Sequence, residues 1–257
     1  MKKSLLGALI LSAVTAPAFA GSVLWDNGPF VTHAGGHTDG SDVSQLQNVT
    51  LGHSVLGFSS YNPSFRLADD FTIPSGQNWT LTGVHVFGYS TNFATPPSGG
   101  NVRIWSGDPG AGGVIVYDGS ATNTLVLSTF RAYRIAESVN GGPPFTDTAR
   151  RVFDNELSIP SVVLGPGQYW LDFQLNPTGG ATTAFTPPVT ILGQANTGAG
   201  GFARQQNAAG AWTGQLTHGN GNTVDIPFIL EGQVPAPGAL ALLGLAGLAT
   251  SRRRRNA

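Results

Sequence analysis

The 257-residue chain contains no cysteine. No disulfide can brace it, and no thiolate can act as nucleophile or soft metal ligand. Charge is also scarce, at 11% of residues, and lysine occurs only as Lys2 and Lys3. Residues 21–233 carry seven arginines, no lysine and fourteen acids, a net charge of −7. An acidic body without basic patches excludes a nucleic-acid partner. The same stretch shows no convincing 3.6-residue periodicity, so long amphipathic helices are excluded. It has no GxSxG elbow for a serine nucleophile. It has no glycine loop leading into a helix to cradle phosphate, and no EF-hand spacing. Glutamate occurs only three times, and no carboxylate pair stands out as a glycosidase couple.

Glycine and proline are plentiful instead, at 36 and 17 residues. Asn27-Gly28, Asp39-Gly40, Asp108-Pro109-Gly110, Asp118-Gly119 and Gly165-Pro166-Gly167 each mark a turn. Between such turns lie short runs of Val, Ile, Thr and aromatics. The pattern predicts strands over 81–89, 101–105, 114–117, 124–135, 157–164, 168–175 and 224–231. Many short strands at this spacing predict an all-β domain, a β-sandwich or jelly roll, over residues 21–233.

The two ends differ from the body. Residues 1–20 pair Lys2 and Lys3 with an apolar run from Leu5 to Val14 and a small-x-small site at Ala18-Phe19-Ala20. This predicts a signal peptide removed after Ala20 by signal peptidase, using Ala18 and Ala20 as recognition residues. At the other end, Val234-Pro235-Ala236-Pro237 precedes an apolar run from Gly238 to Thr250 and the cluster Arg252, Arg253, Arg254 and Arg255. As a short apolar helix that run reaches only roughly 20 Å, against a bilayer core of about 30 Å. The arginines orient it with the body outside. The order of proline-x-proline, Gly/Ala/Leu helix and arginine cluster resembles a PEP-CTERM sorting signal, with Ala236 in place of the usual central glutamate. The resemblance implies processing of residues 234–257 by an exosortase-type enzyme, through a transient inner-membrane intermediate. It also implies delivery to the cell surface or extracellular matrix. The body, in stretches such as "RLADDFTIPSGQNWTLTGVHVFGY" and "GQYWLDF", resembles a β-sandwich module of secreted bacterial proteins.

Three groups of side chains are candidates for chemistry. Alternation over 168–175 puts Tyr169, Leu171, Phe173 and Leu175 on a core face, and Gln168, Trp170, Asp172 and Gln174 on the other. An indole among amides and a carboxylate is the composition of a glycan-binding platform. The competing arrangement buries Trp170 and pairs Asp172 with an arginine such as Arg103. Asp39, Asp42, Asp69 and Asp70 are candidate calcium ligands, with turn capping as the alternative. Asp69 and Asp70 would point to opposite sides of an extended chain, at the start of a strand. The histidines, His33 and His37 in particular, read as surface residues, with too few partners for a zinc site. His85 reads as packed on its strand.

No catalytic constellation emerges, so an enzyme is not expected. The sequence favours an exported structural or adhesive matrix protein that meets extracellular polysaccharide. The alternative is a secreted glycan hydrolase or lyase. Calcium is the one cofactor with candidate ligands.

Overall fold

The structure, a computed structural model, describes residues 21–195 and 202–235. Ala18, Ala20, Ala236, Pro237 and the arginines 252–255 lie outside the described residues. Of the sorting motif, Val234 and Pro235 are described; both lack regular structure and Val234 is 46% exposed. No helix among the described residues is long and apolar enough to cross a membrane.

The turn residues divide the chain into extended segments. In order these are β1 (Ser22–Asp26), β2 (Val43–Leu46), β3 (Phe58–Ser59), β4 (Arg66–Ile73), β5 (Trp79–Gly88), β6 (Gly99–Ser106) and β7 (Val114–Asp118). After them come β8 (Leu125–Ala136), β9 (Arg151–Leu164), β10 (Gly167–Asn176), β11 (Phe185–Thr186), β12 (Arg204–Gln206), β13 (Trp212–Gln215) and β14 (Phe228–Gln233). One sheet runs β1-β14-β5-β9-β8-β2, the other β13-β12-β4-β10-β6-β7, and β11 with β3 forms a small ribbon. The antiparallel ladders β1-β14-β5-β9 and β4-β10-β6-β7 draw their strands from the chain in the connectivity of a jelly roll. Parallel pairing of β2 with β8 extends the first sheet, and the hairpin β12-β13 extends the second.

The sheets meet face to face over one apolar core. Leu67, Phe71 and Ile73 of β4, Val102 and Ile104 of β6, and Leu171, Phe173 and Leu175 of β10 come from the second sheet. Leu81, Val84 and Val86 of β5, Leu157 and Ile159 of β9, and Phe228 and Leu230 of β14 come from the first. Burying each such side chain is worth roughly 1.5–3 kcal/mol. A second cluster, Phe30, Phe87, Tyr89, Ala132 and Val152, lies on the outer side of the first sheet beneath the segment that follows β1.

All seven predicted strands overlap observed ones, with shifted bounds. The last predicted strand begins late: Val224 and Ile226 are buried outside any strand, and the backbone N of Ile226 donates to Asp69 Oδ2 at 2.6 Å. β9 begins at Arg151, six residues before its predicted start, because its first half alternates Asp154 and Glu156 with Phe153, Asn155 and Leu157. Asp69 and Asp70 sit in the middle of β4, not at its start. As expected of extended neighbours they diverge: Asp69 is 2% exposed, whereas Asp70 is only half-buried.

The β14–β5 ladder shifts register between Glu231 and Gly232, where Thr82 of β5 is the extra residue. A Cβ on Gly232 would overlap the backbone carbonyl of Thr80, which cannot swing aside. Gly232→Ala is therefore expected to cost about 3 kcal/mol, read as a lower urea midpoint at unchanged slope.

Candidate functional site

The outer face of the second sheet gathers Arg66, Arg103 and Arg204 with three of the chain's five tryptophans. Strand registers carry one row straight across it. Asp118 opposes Arg103, Arg103 opposes Asp172, Asp172 opposes Ala68, Ala68 opposes Arg204 and Arg204 opposes Gln215. The adjoining row sets Trp105 against Trp170, and Trp170 against Asp70. On the far side of the charged row, Asn101 opposes Gln174 and Arg66 opposes Gln206. The two-residue period of β4, β6 and β10 fixes all of these on the side away from the core.

Asp172 is the hub. It is fully buried, and its Oδ1 accepts from Arg66 Nε. Oδ2 accepts from Arg103 Nε at 2.8 Å and from Trp105 Nε1 at 2.6 Å. Arg66 Nη1 reaches Asn101 Oδ1 and Gln174 Oε1, both at 2.7 Å. Burial pulls the Arg66 guanidinium below its ordinary pKa, while Asp172 opposes that pull. Removing one partner of so buried a pair strands the other charge, a loss of roughly 3–5 kcal/mol.

Above this layer the side chains become accessible. Trp105 and Trp212 are half-buried, with ring centroids 6.0 Å apart and planes at 89°. The Arg103 guanidinium lies 5.2 Å from the Trp105 ring centre. Its Nη2 donates to Gln206 Oε1 at 3.3 Å. Gln168 is exposed and donates to Asp70 Oδ2 at 2.9 Å. Two indoles at right angles beside arginine and amides offer an apolar ring face with hydrogen-bonding groups next to it, the combination that fits a sugar.

The platform expected around Trp170 is corrected by this geometry. Trp170 is 2% exposed, and the Arg204 guanidinium lies over its ring at 5.9 Å. Arg204 is held there by Asp108 Oδ2 at 2.6 Å and the Thr213 carbonyl at 2.9 Å. No sugar can stack on an indole so covered. Asp172 and Gln174 are buried too, so of the four candidates only Gln168 meets solvent. The alternative pairing of Asp172 with Arg103 is the observed one. Trp105 and Trp212 take the accessible positions and were missed. The alternation Asn101, Arg103, Trp105 against Val102, Ile104 carries a readable signal for the first. Trp212 sits on a four-residue edge strand with no such signal.

The calcium candidates do not converge. Asp39 Oδ1 accepts from the backbone of Ser41 at 2.9 Å, and its Oδ2 accepts from the Tyr133 hydroxyl at 3.0 Å. The Ser41 hydrogen bonds lead in holding its carboxyl below the usual range. Asp42 pairs with Arg131. Asp69 accepts from Asn27 Nδ2, from Ile226 N and from Asp70 N, and burial raises its pKa well above the ordinary carboxylate value. Asp70 takes the Gln168 amide. These carboxylates are committed to protein donors in separate places. Among the described residues no group of three or more His, Asp or Glu is arranged to hold a metal ion.

The histidines are mostly inside, another correction. His37, His53 and His218 are 6%, 1% and 2% exposed, and His33 is half-buried. His53 and His218 stack with centroids 4.2 Å apart and planes within 6°. Burial lowers the pKa of both, that of His218 to about 4, and proximity to His53 and Arg134 adds to the shift of His218. On the outer side of the first sheet, His85 Nδ1 lies 2.8 Å from Asp154 Oδ1 and its Nε2 lies 3.5 Å from Glu231 Oε1. The hydrogen bond to Asp154 leads in raising its pKa, against the effect of burial. An imidazolium between two carboxylates is an ion-pair arrangement.

No protein-family model matches the chain, and no curated protein matches its sequence.

The two histidine settings give opposite pH dependences. Below about pH 6.5 the unfolded chain takes up protons that folded His53 and His218 refuse. Stability is therefore expected to fall as pH drops from about 6.5 toward about 4. The His85 contribution is fully present below its unfolded value of about 6.5 and is lost as pH rises through the higher folded value. In thermal melts across this range, His218→Phe should flatten the acid limb and His85→Gln the alkaline one. An acid limb of unchanged slope in His218→Phe would remove the stacked pair as its cause.

Proposed function

We propose that the chain is an exported matrix or surface protein that binds extracellular polysaccharide through the outer face of its second sheet. The observation that carries this reading is the perpendicular, half-buried pair Trp105 and Trp212, set beside Arg103, Gln206 and Gln168. Buried Asp172 holds the Trp105 ring through its indole N–H, and Trp212 packs edge-on against that ring, so little side-chain freedom is lost on binding. Such preorganisation favours a binding module.

Export and sorting belong to the same proposal. The leader ending at Ala20 would be removed by signal peptidase. The tail from Val234 onward, with Pro235, Ala236, Pro237 and the arginines 252–255, would be handled by an exosortase-type enzyme. Intact-mass measurement of the surface form should then show a chain that begins at Gly21 and lacks Arg252 to Arg255. A mature protein retaining the whole tail would instead describe a plain anchor.

Affinity electrophoresis in gels cast with alginate, dextran or soluble β-glucan tests the binding. At least one polymer should retard the protein, and Trp212→Ala should weaken that retention about tenfold, the effect of losing roughly 1.4 kcal/mol of ring contact. Trp212 makes no hydrogen bond to the buried layer, so this variant keeps the fold. Equal retardation of Trp212→Ala and the parent would remove the face from consideration. Release of new reducing or unsaturated ends on long incubation would replace a binding module with a hydrolase or lyase.

A further inference from the structure

Arg134 of β8 is the largest fully buried side chain among the described residues, at 0% exposure. No carboxylate among the described residues pairs with it. Its Nε donates to the Leu56 carbonyl at 2.9 Å, and its Nη1 donates to Ser44 Oγ at 2.8 Å and Thr190 Oγ1 at 3.1 Å. Nη2 is buried and has no partner. A buried guanidinium that meets only neutral acceptors is costly, and an unused N–H adds to the cost.

The direction of the unused donor follows from the geometry of the group. In a planar guanidinium one Nη2–H runs parallel to Nε–H, the fork that grips a carboxylate. Nε–H points at Leu56, so the free N–H faces the same side. Leu56 also lines a cleft of about 230 Å³, together with Gly57, Tyr89, Thr91, Arg150 and Phe185, and Arg134 stands behind this lining. Arg150 brings a second guanidinium, half-buried and paired only at 3.4 Å with Asp147. Tyr89 brings a phenol. Gly57 makes the close approach possible, since a Cβ there would stand 2.8 Å from the Tyr89 hydroxyl. Burial raises the Tyr89 pKa to about 12, so the hydroxyl keeps its proton. Arg134 falls only to about 10 and keeps its charge at neutral pH.

Two cations and one carboxylate, Asp147, leave this corner with a charge of +1 in a body of net −7. That balance suits a monoanion better than a phosphate dianion. We propose that the cleft binds one carboxylate group, received by Arg150 and the Tyr89 hydroxyl with the uncompensated charge of Arg134 behind them, and that its natural bearer is a sugar acid. The cleft lies at the β5 and β8 end of the first sheet, so the inference stands apart from the tryptophan face.

Titration of the purified body with sodium glucuronate, glucose and sodium acetate at constant ionic strength tests it, by calorimetry and by thermal shift. Glucuronate should bind and raise the melting temperature, and glucose should do neither. Arg150→Gln should weaken glucuronate about tenfold, the usual effect of losing a charge-assisted hydrogen bond. Tyr89→Phe, which removes one oxygen atom, should weaken it several-fold and guards against misfolding of the first variant. Trp212→Ala should leave this titration unchanged even if it abolishes retention by polymer, which separates the two sites. Acetate binding as tightly as glucuronate would support the carboxylate site with a free acid as its ligand; tighter glucuronate binding would support the sugar acid. No heat or shift from glucuronate beyond the chloride control would overturn the proposal. So would unchanged affinity in Arg150→Gln and Tyr89→Phe, or loss of glucuronate binding in Trp212→Ala.

Discussion

A single carboxylate organises the second sheet. Asp172 receives Arg66, Arg103 and Trp105 on two oxygens and is closed off from water. Three strands converge on it, because β10 lies between β4 and β6. The charges make hydrogen bonding obligatory there: an arginine shut in the same layer without its acid would be a heavy penalty. The positions of Trp105 and Arg103, and through Arg103 that of Gln206, follow from where this carboxylate sits. Apolar packing between the sheets holds the domain together. The outer face owes its shape to Asp172.

The two outer faces differ in chemistry although the sheets share a core. On the second sheet arginine, indole and amide alternate with buried aliphatics. On the first, Phe87, Ala132 and Val152 are covered by the segment carrying Phe30 and Val31, and His85 lies between Asp154 and Glu231. The net acidity of the body is therefore unevenly spread. Arg134 and Arg150 form a cationic corner at the end of the sheet that carries Asp154, Glu156 and Glu231.

The alternation in 168–175 was legible because its core-facing set, Tyr169, Leu171, Phe173 and Leu175, is uniformly apolar. It fixed which side Asp172 and Trp170 occupy. It could not say what lies above them, since Arg204 and Asp108 arrive from distant parts of the chain. β4 was legible only from Asp69 onward, because Arg66, Asp69 and Asp70 disguise an inward set of Leu67, Phe71 and Ile73. The stacked histidines are 165 residues apart in sequence, a contact no local pattern encodes. The aspartates were readable as turn formers at Asp39, where a Ser41 N–H is two residues away. Asp69 was not, because its donors Asn27 and Ile226 come from opposite ends of the body. Local alternation carried the fold, and long-range pairing decided the site.

The last strand has a mechanical consequence. β14 is zipped on one edge to β1 and on the other to β5, with Ser22 beside Gly232 and Gln233 beside Thr80. Its ladder bonds lie across the strand axis. Tension applied to the chain beyond residue 235 along that axis would load both ladders in shear at once, instead of peeling them open bond by bond. A body tethered from that side and pulled through its distant tryptophan face would transmit the force through the middle of a sheet, the place where a sandwich resists it best.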